Sequence, residues 1–328
     1  MSNFVIRASC PGCGGVNFAE IYSRSLTDNP VKKYLHDFYD PQGGVDFDYL
    51  TGGNYTLCEC NSCSLIFQKE ILNDQGMKLL YEKWIDPEKV ISLFEQTYPL
   101  DYYTGYLSVS FQIINFFKQK PASLRFFDFG MGWGNWLSAA KALGVSVYGS
   151  ELSEERVKYA KKNGITVITW DEIQGSNFDF INTDQVFEHL PQPLETLKHL
   201  ATGLRKGGVL RICVPDGNGS KAVLSKMDWD AAKGTTDSLN IVAPLEHINC
   251  YTTHSLVILA KEAGLDWVYI PRYPKLVVEK GPLSISAKIK SFLQLPRDIA
   301  RKVYKTIRPL DISAMETPQG TNLFFRKP

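Results

Sequence analysis

The chain has 328 residues, 44% of them hydrophobic, and its 36 basic side chains nearly balance its 35 acidic ones. This length and composition suit a globular protein of about two domains, and a formal net charge of +1 gives no sign of an overall nucleic-acid-binding surface. The sequence has no apolar run of 18 residues and no signal-peptide pattern at its start, so we expect a cytoplasmic protein.

Two pairs of cysteines stand out in the N-terminal part. Cys10 and Cys13 form one Cys-x-x-Cys pair, and Cys60 and Cys63 form the other. Structural Zn²⁺ prefers four thiolates in a tetrahedron, and each tight turn supplies two of them. We therefore predict a structural zinc site on these four residues. A disulfide would be rare in the cytoplasm, and a redox motif would follow a strand and open a helix. Cys58 is a spare thiol that could replace Cys60.

Two further segments precede the centre of the chain. The two cysteine pairs are separated by 46 residues that include Gly43-Gly44 and Gly52-Gly53, which predicts a loop-rich insertion. Residues 88–118 are aromatic and helix-like. Tyr102 and Tyr103 fall in a predicted loop at 99–105, where one of them could contact a ligand.

The central stretch combines an apolar run with alternating glycines. Residues 124–129 predict a buried strand, Gly130, Gly132 and Gly134 follow, and small and apolar residues then recur at helical spacing. Such a turn lets the backbone approach a ligand, and free amides at a helix start favour a carboxylate or phosphate. Asn135 stands where a dinucleotide fingerprint needs its third glycine, which disfavours NAD and a nicotinamide oxidoreductase.

The elements that follow alternate between strands and helices. Glu151 ends the second strand 21 residues beyond Gly130, where its carboxylate could accept hydrogen bonds from a ribose diol. Thr252 is a predicted helix N-cap. The predicted elements after the glycine turn are strands at 145–150, 165–168, 178–181, 209–214, 266–270 and 320–327, with helices at 154–163, 193–205, 220–226 and 252–262.

Several motifs agree in order and spacing with one known family. Asp128 begins an acid-x-Gly-x-Gly-x-Gly motif, Phe178-Asp179 opens the fourth strand, Glu188-His189-Leu190-Pro191 follows it, and Lys206-Gly207-Gly208 precedes the fifth. This series resembles the class I S-adenosylmethionine-dependent methyltransferases. Residues 55–67 resemble the leader of members that carry an N-terminal zinc-ribbon domain, many of which act in polysaccharide, sugar-nucleotide or secondary-metabolite pathways.

The resemblance implies a fold, a domain plan and a cofactor. The fold is α/β, with a Rossmann-like seven-stranded sheet, a zinc-ribbon-like module and a helical insertion between the last two strands. The implied domains are 1–85 (zinc module), 86–120 (helical linker and cofactor cover) and 121–328 (S-adenosylmethionine-binding domain, with the insertion at about 283–310). The implied cofactor-binding residues are Asp128, Gly130, Gly132, Gly134, Glu151, Asp171 and Gln185.

Methyl transfer to a hydroxyl, or to a carbon beside a carbonyl, needs a general base, and histidine suits that role at neutral pH. Of the five histidines, His247 is the first candidate for a base or substrate contact and His189 the second, and Glu246 precedes His247. Similar enzymes resembling the coenzyme Q O-methyltransferases bind a divalent metal through Glu-x-x-Glu-His. Here Gln185 takes the first position, which argues against a catalytic metal.

The C-terminal charge is uneven. Residues 271–328 carry 12 basic and 4 acidic side chains, and 283–308 predict two short amphipathic helices. One interpretation is a solvated helical pair packed on the domain; the other is a surface for anionic membrane lipid or a phosphorylated carrier.

We therefore expect an enzyme that methylates oxygen or carbon of a small molecule, such as a sugar nucleotide or related metabolite, with no nucleic-acid partner. The alternative is a catalytically silent protein of the same fold that binds a partner through its zinc module and basic insertion.

Overall fold

The computed structural model describes residues 2–85, 100–271, 316–317 and 320–328. The basic insertion predicted at about 283–310 lies outside the described residues, as does the first part of the aromatic segment. None of the described helices has both the length and the hydropathy needed to cross a membrane.

The described strands are β1 (Phe4–Ile6), β2 (Phe18–Ser25), β3 (Asn54–Cys60), β4 (Ile66–Gln68), β5 (Glu70–Leu72), β6 (Arg125–Phe129), β7 (Ser146–Ser150), β8 (Thr166–Val167), β9 (Phe178–Asp184), β10 (Leu204–Val214), β11 (Asn249–Cys250), β12 (Asp266–Val268), β13 (Glu316–Thr317) and β14 (Gly320–Arg326). The described α-helices are α1 (Val31–Tyr39), α2 (Asp74–Leu79), α3 (Leu100–Phe117), α4 (Asn135–Ala142), α5 (Glu154–Lys162), α6 (Pro193–Gly203), α7 (Ser220–Lys226) and α8 (Thr253–Glu262).

The large sheet has the strand order β12-β14-β10-β9-β6-β7-β8, and β13 pairs with β14. Its strands from β10 to β8 are parallel, whereas β14 runs antiparallel to both β10 and β12. This arrangement confirms the predicted seven-stranded α/β sheet with an antiparallel last strand. The predicted N-cap at Thr252 is also confirmed, because its side chain accepts a hydrogen bond from the backbone N–H of Ser255.

Aromatic residues cover both faces of this sheet near its centre. Phe126 stacks on Trp136 on one face, with ring centroids 5.9 Å apart, and Phe127 stacks on Phe178 on the other at 4.9 Å. All four side chains are buried, and full burial of a side chain of this size contributes about 1.5–3 kcal/mol. The packing fixes β6, and with it the glycine turn that follows.

The N-terminal part is more regular than predicted. The insertion between the cysteine pairs is not loop-rich, because it contains the eight-residue β2 and the nine-residue α1. Val31, Leu35 and Tyr39 of α1 recur every fourth residue and are fully buried. One apolar face of this helix therefore packs in the same cluster as the N-terminal strand β3. The four-residue spacing of these side chains is visible in the sequence, but the nearby glycines favoured the prediction of a loop.

Two other local predictions were wrong. Tyr102 and Tyr103 lie in α3 and not in a loop at 99–105. Packing of Tyr106, Val109 and Ile113 into the core outweighs the cost of about 1 kcal/mol for Gly105 inside a helix. The fifth strand, β10, begins at Leu204 rather than Val209, with a shift in its pairing to β9 between these two residues.

A short strand from the C-terminal half completes the N-terminal sheet. That sheet has the order β11-β4-β3-β2, with Asn249 opposite Phe67 and Cys250 opposite Ile66. The backbone N–H of Gln68 also donates to the carbonyl of Ile248 at 3.0 Å. Residues on both sides of the predicted domain boundaries therefore share one sheet.

Candidate functional site

The four predicted zinc ligands lie together. The sulfur atoms of Cys10 and Cys63 are 3.6 Å apart, as are those of Cys13 and Cys60, and all four lie within 4.8 Å of one another. A tetrahedron with Zn–S bonds of about 2.3 Å has edges of about 3.8 Å, so the spacing and the donor atoms fit Zn²⁺. Cys58, although buried, is not part of this cluster.

The two cysteine turns have the same backbone geometry. The N–H of Gly14 donates to the carbonyl of Cys10, and the N–H of Ser64 donates to that of Cys60. Gly14 and Ser64 both have positive φ, 73° and 58°. Hydrogen bonding to Cys63 lowers the pKa of Cys10 to about 5, whereas burial raises the pKa of Cys13 to about 11.

The glycine turn leads from β6 into α4. Gly130, Gly132 and Gly134 have φ values of 70°, 54° and 72°, in the left-handed region that glycine enters without steric cost. The amides of Gly130 and Met131 donate to the carbonyl of Ser150 at the end of β7. The turn is thereby fastened to the neighbouring strand.

Glu151 continues this connection with its side chain. Its Oε2 accepts a hydrogen bond from the N–H of Gly132 at 2.9 Å, and its Oε1 accepts from the amides of Leu152 and Ser153 at 2.9 and 3.1 Å. Arg156 Nη1 lies 3.8 Å from Oε1. The predicted ribose-binding carboxylate is therefore held directly beside the glycine turn.

Asp128 lies buried at the base of the turn. Its Oδ1 accepts a hydrogen bond from Asn182 Nδ2 at 2.8 Å, and Asn182 Oδ1 in turn accepts from Arg211 Nη1 at 2.7 Å. Arg211 also donates to Asp184 at 3.0 Å and to Asn322 at 2.8 Å. Burial raises the pKa of Asp128 to about 7. Sequence reasoning found Asp128 but missed Asn182 and Arg211, which lie in strand interiors without a motif.

One part of the turn is open. A Cβ atom on Gly132 would meet nothing within 4 Å, whereas a Cβ on Gly130 would lie 2.8 Å from Val186 Cγ2 and one on Gly134 would lie 2.5 Å from Ile165 Cδ1. Gly132 therefore presents bare backbone to open space beside Glu151. This is the feature that a closely approaching ligand requires.

The other two predicted cofactor residues follow strands at the same edge. Asp171 is exposed in a turn after β8, and the adjacent Trp170 has its ring centroid 5.9 Å from that of Phe129 at the end of β6. Gln185 is exposed after β9, has a φ of 56°, and donates from its backbone N–H to the carbonyl of Cys213.

The two candidate histidines, His189 and His247, form a pair with ring centroids 4.9 Å apart. Nδ1 of His189 lies 2.8 Å from the carbonyl oxygen of Glu246, and Nδ1 of His247 contacts the carbonyl oxygen of Asn240. Because a carbonyl only accepts, Nδ1 carries the proton in both rings, and Nε2 carries the lone pair of each neutral ring. The structure thus brings together His189, His247 and the backbone of Glu246.

Both histidines are neutral at physiological pH. Burial lowers the pKa of His189 to about 4, and burial together with the neighbouring His189 lowers the pKa of His247 to about 3. Their titratable neighbours include the carboxyl groups of Glu188 and Glu246 and the amino group of Lys233.

Glu188 is a further member of this site that the sequence reasoning did not assign. Its side chain is 1% exposed, and neither carboxyl oxygen has a hydrogen-bond partner in another residue of the described chain. Oε1 lies 3.7 Å from His189 Nε2, and burial raises the pKa of this carboxyl well above its usual value. The ring of Tyr81 packs edge-on to His189 at 6.0 Å.

This set has two possible chemical uses. The two lone-pair nitrogens can accept protons from a bound molecule, and the carboxyl group of Glu188 can do so when it is ionised. The ligand atoms of Glu188, His189 and His247 also lie within 4.8 Å of one another, which is close enough to share a cation. Gln185, where the metal-binding relatives have a glutamate, is not part of this group among the described residues.

The segment before His189 connects the histidine site to the glycine turn. Val186, which packs against Gly130, directly precedes the 3₁₀ turn Phe187–His189. The segment that leads into His189 therefore contacts the glycine turn at Gly130.

Comparison with known proteins gives one family. Residues 106–270, half of the chain, match the profile of a family described as a methyltransferase domain. A ubiquinone biosynthesis O-methyltransferase from Parvibaculum lavamentivorans is 31% identical over 99 residues, which cover 27% of this chain and 39% of that protein. The chain thus matches about two fifths of the length of that relative.

Solved structures with a similar arrangement are more distant. The plantazolicin methyltransferase BpumL, in complex with a desmethyl-plantazolicin analogue and SAH, has a TM-score of 0.47 at 18% identity, over 77% of this chain and 94% of that one. A SAM-dependent methyltransferase from Archaeoglobus fulgidus has a TM-score of 0.39 at 16% identity, over 67% of this chain and 93% of that one.

Proposed function

The chain belongs to the methyltransferase-domain family, and on that premise we propose that this enzyme transfers a methyl group from S-adenosylmethionine to a sugar nucleotide or a related small metabolite. The observation that carries the proposal is the open backbone at Gly132 beside the hydrogen-bonded carboxylate of Glu151, together with a histidine pair on the segment that follows β9. A cofactor turn and a proton-accepting site lie on neighbouring segments.

Several residues would hold the cofactor. The glycine turn from Gly130 to Gly134 would lie against its methionine part, Glu151 would bind its ribose diol, and Asp171 and Gln185 would face its adenine side. Bound there, S-adenosylmethionine supplies an electrophilic methyl group on a sulfonium. The remaining tasks, which are to position the acceptor, exclude water and take its proton, belong to the protein.

Proton transfer is assigned to the histidine pair. The Nε2 atoms of His247 and His189 are unprotonated at neutral pH and can accept a proton from an acceptor hydroxyl or from a carbon beside a carbonyl, acting as weak bases because burial lowers their pKa values. The Nδ1–H of each ring stays bonded to a backbone carbonyl and fixes the ring. Glu246 supplies that carbonyl for His189, and its carboxyl group adds negative charge near the rings when ionised.

An aromatic wall supports the choice of acceptor class. Trp229 contacts the rings of Tyr22, Tyr34 and Tyr55 with centroids 5.6–5.9 Å apart, and Tyr34 interacts electrostatically with Glu246 beside His247. Lys233 lies 4.5 Å over the ring of Phe38 at the same wall. Tyr55 is buried beneath this group, whereas the partly exposed rings of Trp229 and Tyr34 suit stacking with a sugar or a base, and the exposed Lys233 suits a phosphate.

The cofactor assignment is tested by calorimetric titration of the purified protein with S-adenosylmethionine, with NADH as the control ligand. We expect micromolar binding of the first and none of the second. The matched variants are Gly132→Ala and Gly52→Ala, because both glycines have positive φ and open space around a new Cβ. Both should lose similar stability, about 1–2 kcal/mol, while only Gly132→Ala should lose at least tenfold in cofactor affinity.

The acceptor is then found by screening sugar nucleotides for methyl uptake from labelled cofactor. Cofactor binding without methylation of any sugar nucleotide would reject the acceptor class and keep the methyltransferase. Absence of cofactor binding by the native protein would instead favour a silent protein that acts through its cysteine module.

A further inference from the structure

We propose that Arg7 is a positioning residue that holds the two histidine-bearing segments together and ties them to the cysteine cluster. The assignment of these two segments to an acceptor site rests on the proposed function. The connection between the segments rests only on the hydrogen bonds of Arg7. Arg7 lies directly after β1 and three residues before Cys10, far in sequence from either histidine.

The guanidinium group bonds both segments at once. Nη1 donates to the carbonyl of Ile248 at 3.2 Å and to Asn249 Oδ1 at 2.9 Å. Nη2 donates to the carbonyls of Leu190 and Pro191 at 3.4 and 3.3 Å. Ile248 directly follows His247 and Leu190 directly follows His189, so one rigid fork spans the residues next to both rings.

Asn249 closes the link between the segments. This side chain is 1% exposed, and its Nδ2 donates to the carbonyls of Phe187 and Leu190 at 3.0 and 2.8 Å. Because Arg7 donates to the Oδ1 of the same amide, Arg7 fixes which way the amide faces. A side chain of one histidine segment is thereby bonded to the backbone of the other.

The burial of Arg7 indicates a geometric role. The residue is 8% exposed, and burial lowers its pKa to about 10, which still leaves it charged at neutral pH. None of the ion pairs found in the described residues includes Arg7; the oxygens around its Nη atoms are carbonyls and an amide. A buried cation adds little net stability, whereas the planar fork of arginine fixes the separation of the groups that it bonds.

The backbone of Arg7 connects this fork to the cysteine module. The N–H of Arg7 donates to the carbonyl of Lys69 at 2.8 Å, just after β4, the strand that pairs with β11 and Asn249. Cys10 follows three residues later and begins the first cysteine turn. A displacement of that turn would therefore move the fork, and with it the segments that carry His189 and His247.

The test uses the full-length, zinc-loaded protein labelled with ¹⁵N-histidine, and reads the imidazole resonances during a pH titration. The signals of His189 and His247 are assigned with the variants His189→Gln and His247→Gln. In the native protein neither ring should titrate between pH 5.5 and 8. In Arg7→Ala, separation of the segments should admit water, and at least one midpoint should rise by more than one pH unit toward 6.5.

Two further variants keep the test decisive. Arg7→Lys keeps a cation but has no fork to bond two segments, so it should give a smaller rise of the same midpoint. Arg24→Ala removes an exposed arginine of β2 and should leave both titrations unchanged. If Arg7→Ala is too unstable to measure, the comparison of Arg7→Lys with Arg24→Ala decides the question.

Zinc content and calorimetric affinity for S-adenosylmethionine separate positioning from a general structural role. Both should stay within about twofold of native in Arg7→Ala and Arg7→Lys, and 1–5 mM guanidinium should return the midpoint of Arg7→Ala toward its native value. Unchanged histidine titrations in both variants would overturn the proposal, as would loss of zinc and cofactor binding together with the rise. A native protein that binds no cofactor, but whose midpoint rises in Arg7→Ala, would reject the proposed function alone.

Discussion

Asn182 donates a hydrogen bond from Nδ2 to Asp128 Oδ1 at 2.8 Å, between the neighbouring parallel strands β9 and β6. The bond fixes the buried carboxyl group of Asp128 at the base of the glycine turn. Burial raises the pKa of Asp128 from 3.8 to about 7, so ionisation of this group opposes folding.

The first prediction concerns the pH dependence of stability. The pKa of Asp128 is higher in the folded protein than in the unfolded chain. Its stabilising contribution to the free energy of unfolding is therefore fully present below about pH 3.8 and is lost as the pH rises through about 7. Asp128→Asn keeps the Oδ1 acceptor and removes this titration. The variant should therefore gain about 1.4 kcal/mol relative to native between pH 6 and pH 8. Denaturant unfolding at both pH values checks this, and parallel curves would contradict it.

The second prediction concerns the carboxylate of Glu151. Glu151→Ala should weaken the binding of S-adenosylmethionine about 10- to 100-fold, because hydrogen bonds to a charged group contribute about 1.5–3 kcal/mol each and the glycine turn loses its anchor at Gly132. Glu154→Ala, three residues away in the exposed first turn of α5, should bind normally. Equal affinities of the two variants in calorimetry would reject the assignment.

The third prediction concerns the metal. Protein purified under reducing conditions should contain one zinc per chain, and Cys60→Ser should lower that content, because three thiolates bind Zn²⁺ less tightly than four. Cys58→Ser should keep the full content, because Cys58 is outside the cluster. Metal analysis of the three proteins by mass spectrometry distinguishes them. Loss of zinc in Cys58→Ser but not in Cys60→Ser would reverse the ligand assignment.

The fourth prediction concerns the base. His247→Gln should lower kcat about 10²- to 10⁴-fold if the acceptor loses a proton in the transition state, whereas His36→Gln, on the exposed face of α1, should be fully active. Because the pKa of His247 is about 3, its basic form persists throughout pH 6–8, and kcat should show no inflection there from this residue. Full turnover by His247→Gln would mean that another group, or none, serves as the base.

The fifth prediction concerns acid sensitivity. The pKa of each buried histidine is lower in the folded protein than the ordinary 6.5, so each favours folding above that pH and this stability is lost as the pH falls below it. Between pH 7.5 and 5.5 the loss should be about 1.4 kcal/mol per histidine. The His189→Gln, His247→Gln double variant should lose about 2.8 kcal/mol less than native over that range. Identical losses would show that the rings are solvated.

The glycine turn and the carboxylate beside it could be located from the sequence because their signals are local. The apolar run before Gly130, the alternating glycines and the acid after the next strand lie within 30 residues, and each has a direct structural cause. The clustering of the four cysteines could also be predicted, because each Cys-x-x-Cys turn places two thiols side by side. Even Thr252 followed a local rule, since its hydroxyl caps the helix that begins at the next residue.

The two histidines could be predicted only as separate candidates, and their pairing could not be predicted. His189 and His247 are 58 residues apart in sequence, and nothing in either segment shows that their rings meet. The residue that joins them, Arg7, bonds groups more than 180 residues away and has no motif around it. Burial of Glu188 likewise depends on tertiary packing, so an ordinary Glu-His dipeptide gave no sign of a carboxyl group that lacks a hydrogen-bond partner among the described residues.

The N-terminal sheet cannot be completed until β11, a late segment of the chain, has been synthesised. All four clustered cysteines have been synthesised once residue 63 has emerged from the ribosome, but the partner of β4 follows only at Asn249–Cys250. At roughly 5–20 residues per second, the β4 edge of the nascent sheet stays unpaired for about 10–40 s. An exposed edge strand pairs readily with other chains, so the emerging protein needs early protection at β4, which the finished protein does not.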